Sequence, residues 1–272
     1  MIKRPSVFLA ILALMAASIA SARPAAAQPS AAATSAMHES PPTPEAQIPK
    51  PIKDAVNSPG RSAEDKSLDP GRKPEQMIAF FGIKPGMKVA DLFAGGGYTT
   101  ELLSRTVGPT GTVYSQNPKF PPQYAKIGQA WTERLKSPAL KNVVAVNKSF
   151  DADDLLPVPP GSLDAVIMNM NYHDMVGLGI DRDKVNAAVM KALKPGGVYG
   201  IVDHSAKAGT GAQETMSLHR IDESYLVKDV EKSGFKLAEA SSALRHPEDD
   251  RTWLVFKHRG ETDRFMLKFV KP

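Results

Sequence analysis

From Pro74 onward, short apolar runs alternate with segments of helical period, and few folds accommodate that rhythm. Residues 87–93 are an apolar run next to a Pro-Gly turn, the pattern of a buried strand. Residues 98–106 continue as a helix and 112–117 as a second strand. Residues 123–136 read as a helix with Ile127, Trp131 and Leu135 on one face. Residues 143–146 and 164–169 are the third and fourth strands. A helix over 184–193 turns Val185, Ala188, Val189 and Ala192 inward and is stopped by Lys194-Pro195-Gly196-Gly197. Residues 198–203 form a fifth strand.

Strands separated by helices pair in parallel, with the crossovers covering both faces of the sheet. The expected fold class is therefore α/β: a Rossmann-like, doubly wound, mostly parallel sheet. The end of the chain breaks the rhythm. Residues 236–243 and 264–270 both read as strands with no long helix between them, which predicts an antiparallel C-terminal edge. Residues 252–257 fit either a strand or a short lid.

The N-terminal stretch has a different character. Lys3 and Arg4 precede an apolar segment over 7–20, too short to span a bilayer comfortably. Ala20-Ser21-Ala22 and Ala25-Ala26-Ala27 follow as cleavage sites. This predicts a signal peptide over 1–27, export to the periplasm or medium, and no stable membrane insertion after cleavage. Cleavage after Ala27 removes three cations, Lys3, Arg4 and Arg23, and no acid, so the formal charge falls from +5 to +2. No Lys/Arg run marks a nucleic-acid surface, and none is expected. Residues 28–57, rich in Ala, Pro and Ser, are expected to be a disordered tether. Residues 58–272 have the size of one domain.

In an open parallel sheet, ligands bind outside the carboxyl ends of the strands, near the switch in strand order. After the first strand comes Asp91-Leu92-Phe93-Ala94-Gly95-Gly96-Gly97-Tyr98, where glycines let the backbone approach a ligand at a helix N-terminus. It is not a full dinucleotide fingerprint, because Thr100 stands where a third glycine is needed. After the second strand come Gln116 and Asn117, amides where ribose-binding folds usually place a carboxylate. After the third comes Phe150-Asp151-Ala152-Asp153-Asp154, whose acids suit either an adenine amino group or a helix cap. Asn169, Tyr172, His173 and Asp174 follow the fourth strand, and Asp203 and His204 follow the fifth. Neighbouring strands would bring His173 and His204 to one crevice, with either aspartate as orienting partner. His219, Arg220 and Asp222 are expected on the next helix. No Cys is present and no ligand pair has a familiar metal spacing, so no metal is expected.

The run Val89-Ala90-Asp91-Leu92-Phe93-Ala94-Gly95-Gly96-Gly97 resembles the first motif of class I S-adenosylmethionine-dependent methyltransferases. Asp151-Ala152-Asp153-Asp154-Leu155-Leu156-Pro157 with Gly161-Ser162-Leu163-Asp164-Ala165-Val166 resembles their third motif and fourth strand. Leu193-Lys194-Pro195-Gly196-Gly197 resembles the turn before their fifth strand. Tyr172-His173-Asp174-Met175, Leu218-His219-Arg220-Ile221-Asp222 and Thr262-Asp263-Arg264-Phe265 further resemble a bacterial group of exported methyltransferase-like proteins. The resemblance implies S-adenosylmethionine as cofactor. It places Gly95 and Gly97 near its methionine part, Asp91 in support of that loop or of the amino group, Asn117 at the ribose and Asp151 at the adenine; Gly96 and Asn169 are further candidate cofactor residues. Methyl transfer to a small-molecule acceptor is then expected, with His173 or His204 as the catalytic histidine and Asp174 or Asp203 orienting it. The competing readings are a non-catalytic binding protein on the same scaffold and a nicotinamide-dependent oxidoreductase. The missing third glycine argues against the latter.

Overall fold

The computed structural model describes residues 39–272; the expected signal over 1–27 and the first part of the expected tether, 28–38, lie outside the described residues. The strands follow the chain as β1 (Glu39–Ser40), β2 (Lys88–Leu92), β3 (Thr112–Asn117), β4 (Val143–Asn147), β5 (Leu163–Asn169), β6 (Leu193–His204), β7 (Lys236–Ser241) and β8 (Arg264–Val270). They make one sheet in the order β1-β7-β8-β6-β5-β2-β3-β4. Strands β2 to β6 pair in parallel, while β8 is antiparallel to both β6 and β7, the edge that the sequence predicts. The order reverses at β2, which has β3 on one side and β5 on the other. In open α/β sheets ligands bind outside the carboxyl ends of the strands at such a switch point.

Helices cover both faces: α1 (Lys50–Val56), α2 (Ala63–Arg72), α3 (Pro74–Phe80), α4 (Tyr98–Val107), α5 (Ala125–Arg134), α6 (Tyr172–Gly177), α7 (Arg182–Ala192) and α8 (Glu223–Glu231). Successive strand residues point to opposite faces, and β2 shows it. Val89 packs with Ile52, Ile78 and Leu102 of α1, α3 and α4. Ala90 and Leu92 pack with Tyr172, Val189 and Leu226 of α6, α7 and α8. Two apolar layers therefore hold the sheet, and the site lies where neither covers it.

Several expectations need correction. The chain over 39–57 is not a tether: β1 joins the sheet beside β7, and α1 buries Ile52, Ala55 and Val56, with Ile48 buried just before it. Burial of each of the Ile and Val side chains contributes about 1.5–3 kcal/mol. The helical spacing Ile48, Ile52, Val56 was present in a proline-rich context that masked it. In α5 only Trp131 is buried, and Ile127 is exposed. Residues 252–257 hold a single 3-10 turn, Val255–Lys257, rather than a strand. His219, Arg220 and Asp222 lie in a loop, not on a helix; Asp222 is the N-cap of α8. Arg220 is fully buried in an ion pair with Asp249 and also donates to the Ser205 and Trp253 carbonyls, so its role is structural.

Candidate functional site

The glycine loop after β2 is fastened from below and from the side. Asp91, buried at the end of β2, accepts from the Thr100 hydroxyl at 2.6 Å, and that hydroxyl lies 2.9 Å from Ser115 Oγ of β3. Burial pushes the Asp91 carboxyl up to about 7 although the Thr100 hydroxyl and N–H favour the charged form. The Asp91–Thr100 bond ties the end of β2 to the first turn of α4. Gln116 joins three strand ends: its Oε1 accepts from Phe93 N and its Nε2 donates to the Lys148 carbonyl.

Asn117 departs from its expected place. Its Oδ1 accepts from Gly95 N at 2.8 Å and its Nδ2 donates to the Gly95 carbonyl at 3.1 Å. Both ends of the amide hold the loop, so the side chain expected at the ribose is spent on the backbone. The glycines also divide. Gly95, at φ +57°, and Gly96 have no protein atom within 4 Å of where a Cβ would stand, so they face open space. Gly97, at φ +87°, would place a Cβ 2.5 Å from the Trp131 ring and 2.9 Å from Arg134. It is a glycine because α5 sits on it.

Arg134 of α5 bridges Asp65 of α2 and Glu101 of α4, and Glu101 pairs with Arg105. Alongside, Tyr98 donates to Asp69, which Arg61 also holds. An ionic layer from α2 and α5 thus flanks the start of α4, a feature no local motif signalled. Asp151 stands exposed beyond β4, with the Lys184 ammonium on its carbonyl. Asn169 donates to Thr99 of α4, and Asn171 donates to the Phe93 and Asn169 carbonyls, tying the ends of β2 and β5 together.

Across the switch, the four candidate catalytic residues converge. Asp203, fully buried at the end of β6, accepts from His173 N at 2.7 Å and His204 N at 2.8 Å, and its Oδ1 lies 2.6 Å from His173 Nδ1. The pairing is crossed: Asp203 orients His173, not the adjacent histidine. The His173 and His204 rings are 6.0 Å apart, centre to centre. His204 Nδ1 is bonded to the Thr262 hydroxyl at 3.0 Å. Asp174 Oδ1 lies 3.3 Å from His173 Nε2 and 3.1 Å from His219 Nδ1. His219 is the residue that sequence reasoning placed wrongly; it reaches the cluster from a loop, at φ +56°. Phe93 and Met170 adopt the same left-handed backbone at the ends of β2 and β5. Such residues cost about 1–2 kcal/mol each, and here all three border the crevice.

Burial would lower the His173 ring, but the Asp203 and Asp174 carboxylates outweigh it and lift the ring to about 10. Burial, with the His173, Arg264 and Arg220 cations, drives the His204 ring well below its usual value. Burial would raise Asp174, and hydrogen bonds to His173 and His219 overcome it, holding its carboxyl low.

No protein-family model matches the chain. A ubiquinone/menaquinone biosynthesis C-methyltransferase of Shewanella halifaxensis is 28% identical over 175 residues, covering 62% of this chain and 64% of that protein. The enzyme of the same description from Pasteurella multocida is 29% identical over 124 residues, covering 46% of this chain and 42% of that one. The chain thus spans less than two thirds of these relatives. A solved S-adenosylmethionine-dependent methyltransferase from Aquifex aeolicus superposes with a TM-score of 0.55 at 19% identity, covering 82% of this chain and 98% of that one. The chain has the fold of these methyltransferases.

Proposed function

We propose that this chain is an exported S-adenosylmethionine-dependent methyltransferase acting on a small molecule. One observation carries the reading. An open glycine loop follows β2, a buried histidine–carboxylate cluster follows the neighbouring β5 and β6, and Asn171 joins the two by donating to the Phe93 carbonyl. The residues fit the cofactor at its methionine end: Gly95 and Gly96 leave room, α4 presents its first N–H groups, and Asp91 braces the turn. When bound, the cofactor supplies an electrophilic methyl group on a sulfonium. The chain's own work is then positioning and exclusion of water. His173, fixed by Asp203, and His204, tethered to Thr262, hold the acceptor across the crevice from the loop. The relatives are named as ubiquinone/menaquinone biosynthesis C-methyltransferases, which supports an acceptor of small-molecule size.

A second reading has its own support. Asn117, an amide where ribose-binding folds usually place a carboxylate, is spent on Gly95. That favours a scaffold that binds ligand weakly or without turnover. Calorimetry of the purified full chain with S-adenosylmethionine, S-adenosylhomocysteine and a nicotinamide dinucleotide separates these readings. Binding of the first two, with S-adenosylhomocysteine released in the presence of cell-envelope small molecules, supports the enzyme. Binding without release supports the scaffold. Binding of the dinucleotide alone overturns both. Export rests on the Lys3/Arg4 and 7–20 pattern; mass spectrometry should find an N-terminus near Arg23 or Gln28, and intact Met1 on cytoplasmic protein would refute it.

A further inference from the structure

We propose that His173, Asp174 and His219 form a binding site for one divalent transition-metal ion. The three facing atoms, His173 Nε2, Asp174 Oδ1 and His219 Nδ1, make a nearly equilateral triangle with sides of 3.1, 3.2 and 3.3 Å. Metal–ligand lengths of about 2.0–2.2 Å place ligand atoms roughly 3.0–3.5 Å apart in octahedral or tetrahedral arrangements. The triangle is therefore the size of one face of a coordination shell.

Protons alone do not satisfy such a triangle. A hydrogen bond needs a donor facing an acceptor. With the carboxylate ionised its oxygen only accepts, and each ring nitrogen either donates or accepts, so at least one side of the three sets like against like. A central cation removes the conflict, because all three atoms then present lone pairs to it.

A second feature selects the same arrangement. Asp203, buried and held by two backbone N–H groups, faces His173 Nδ1 at 2.6 Å. A carboxylate in that position holds a proton on Nδ1 and turns Nε2 toward Asp174 and His219, the outer support that metal-bound histidines receive. His219 is placed by a left-handed backbone and by the Phe256 ring, 4.5 Å away centre to centre. The side chains of Asp174 and His219 are 27% and 21% exposed, so an ion has access and room for water or an oxygen-bearing ligand. Two imidazoles and one carboxylate, without thiolate, suit zinc, iron(II), cobalt or manganese better than calcium or magnesium. No sequence spacing announces the set, because His219 lies 45 residues beyond Asp174. The inference does not depend on methyl transfer, since ion binding is read without cofactor.

The test uses the purified full chain, stripped with chelator and titrated with zinc chloride by calorimetry and with cobalt(II) by visible absorption. One ion per chain is expected. His219→Asn keeps a residue that tolerates the left-handed backbone, and should weaken zinc binding at least ~10-fold. Asp203→Asn should weaken it by ~10–100-fold through loss of support to His173. His246→Ala, at a histidine outside the set, should change nothing. Circular dichroism checks folding; if Asp203→Asn does not fold, His219→Asn carries the test. Failure of the parent to bind one ion, binding as tight in His219→Asn as in the parent, or equal weakening by His246→Ala would overturn the proposal.

Discussion

The two sides of the switch point are built on opposite terms. On the β2/β3 side, nearly every polar side chain is spent on the backbone or on another side chain. Asn117 closes on Gly95, Gln116 on Phe93 and Lys148, Asp91 on Thr100, and Arg134 on Asp65 and Glu101. On the β5/β6 side, one carboxylate is spent and the rest converge. Asp203 fixes His173, and the groups beyond it face each other at hydrogen-bond distance without a consistent proton arrangement. The first side makes a shape from the backbone; the second presents side-chain chemistry. A cofactor recognised by close approach suits the first, and an acceptor that must be held and oriented suits the second.

The largest effect expected from breaking this division comes from Gly97→Val. The added side chain meets Trp131 and sits at φ +87°. Overpacking at ~1–3 kcal/mol and a left-handed backbone at ~1–2 kcal/mol together predict a loss of about 3 kcal/mol or more. Thermal melting should show it directly. Normal stability with abolished cofactor binding would mean that Gly97 faces ligand rather than α5.

Next comes His173→Ala on the other side. Turnover should fall ~100-fold, the scale of a lost positioning contact, while affinity for S-adenosylmethionine stays within a few fold. Steady-state kinetics and calorimetry on one preparation decide it. A parallel loss of cofactor affinity would show that the two sides are not separate.

The smallest effect sharpens the comparison. Asn117→Asp keeps the acceptor for Gly95 N but sets a carboxylate against the Gly95 carbonyl, losing one hydrogen bond. A stability loss of about 1 kcal/mol follows, with no gain in cofactor affinity. Tighter binding of S-adenosylmethionine would instead place residue 117 at the ribose in the complex.

How much was legible in the sequence differs between the sides. The glycine run announced the loop because backbone conformation is encoded locally, one residue at a time. The same run did not announce that Gly97 serves Trp131, since α5 arrives from another part of the chain. His173 and His204 could be placed in one crevice from strand ends alone. Which carboxylate orients which ring could not, because adjacent strand residues point to opposite faces.

The sequence by itself determined the alternation of strands and helices, the antiparallel last strand and the glycine turn. All of these follow from period, apolar content and φ preference within short windows. Tertiary structure alone decided that residues 39–57 fold, that Asn117 turns onto Gly95, and that His219 joins His173 and Asp174. Each of these depends on a surface or a partner supplied by a distant segment. Ile48, Ile52 and Val56 order only against a core that the rest of the chain builds. An amide or imidazole chooses among partners only when folding has removed the water that would otherwise satisfy it.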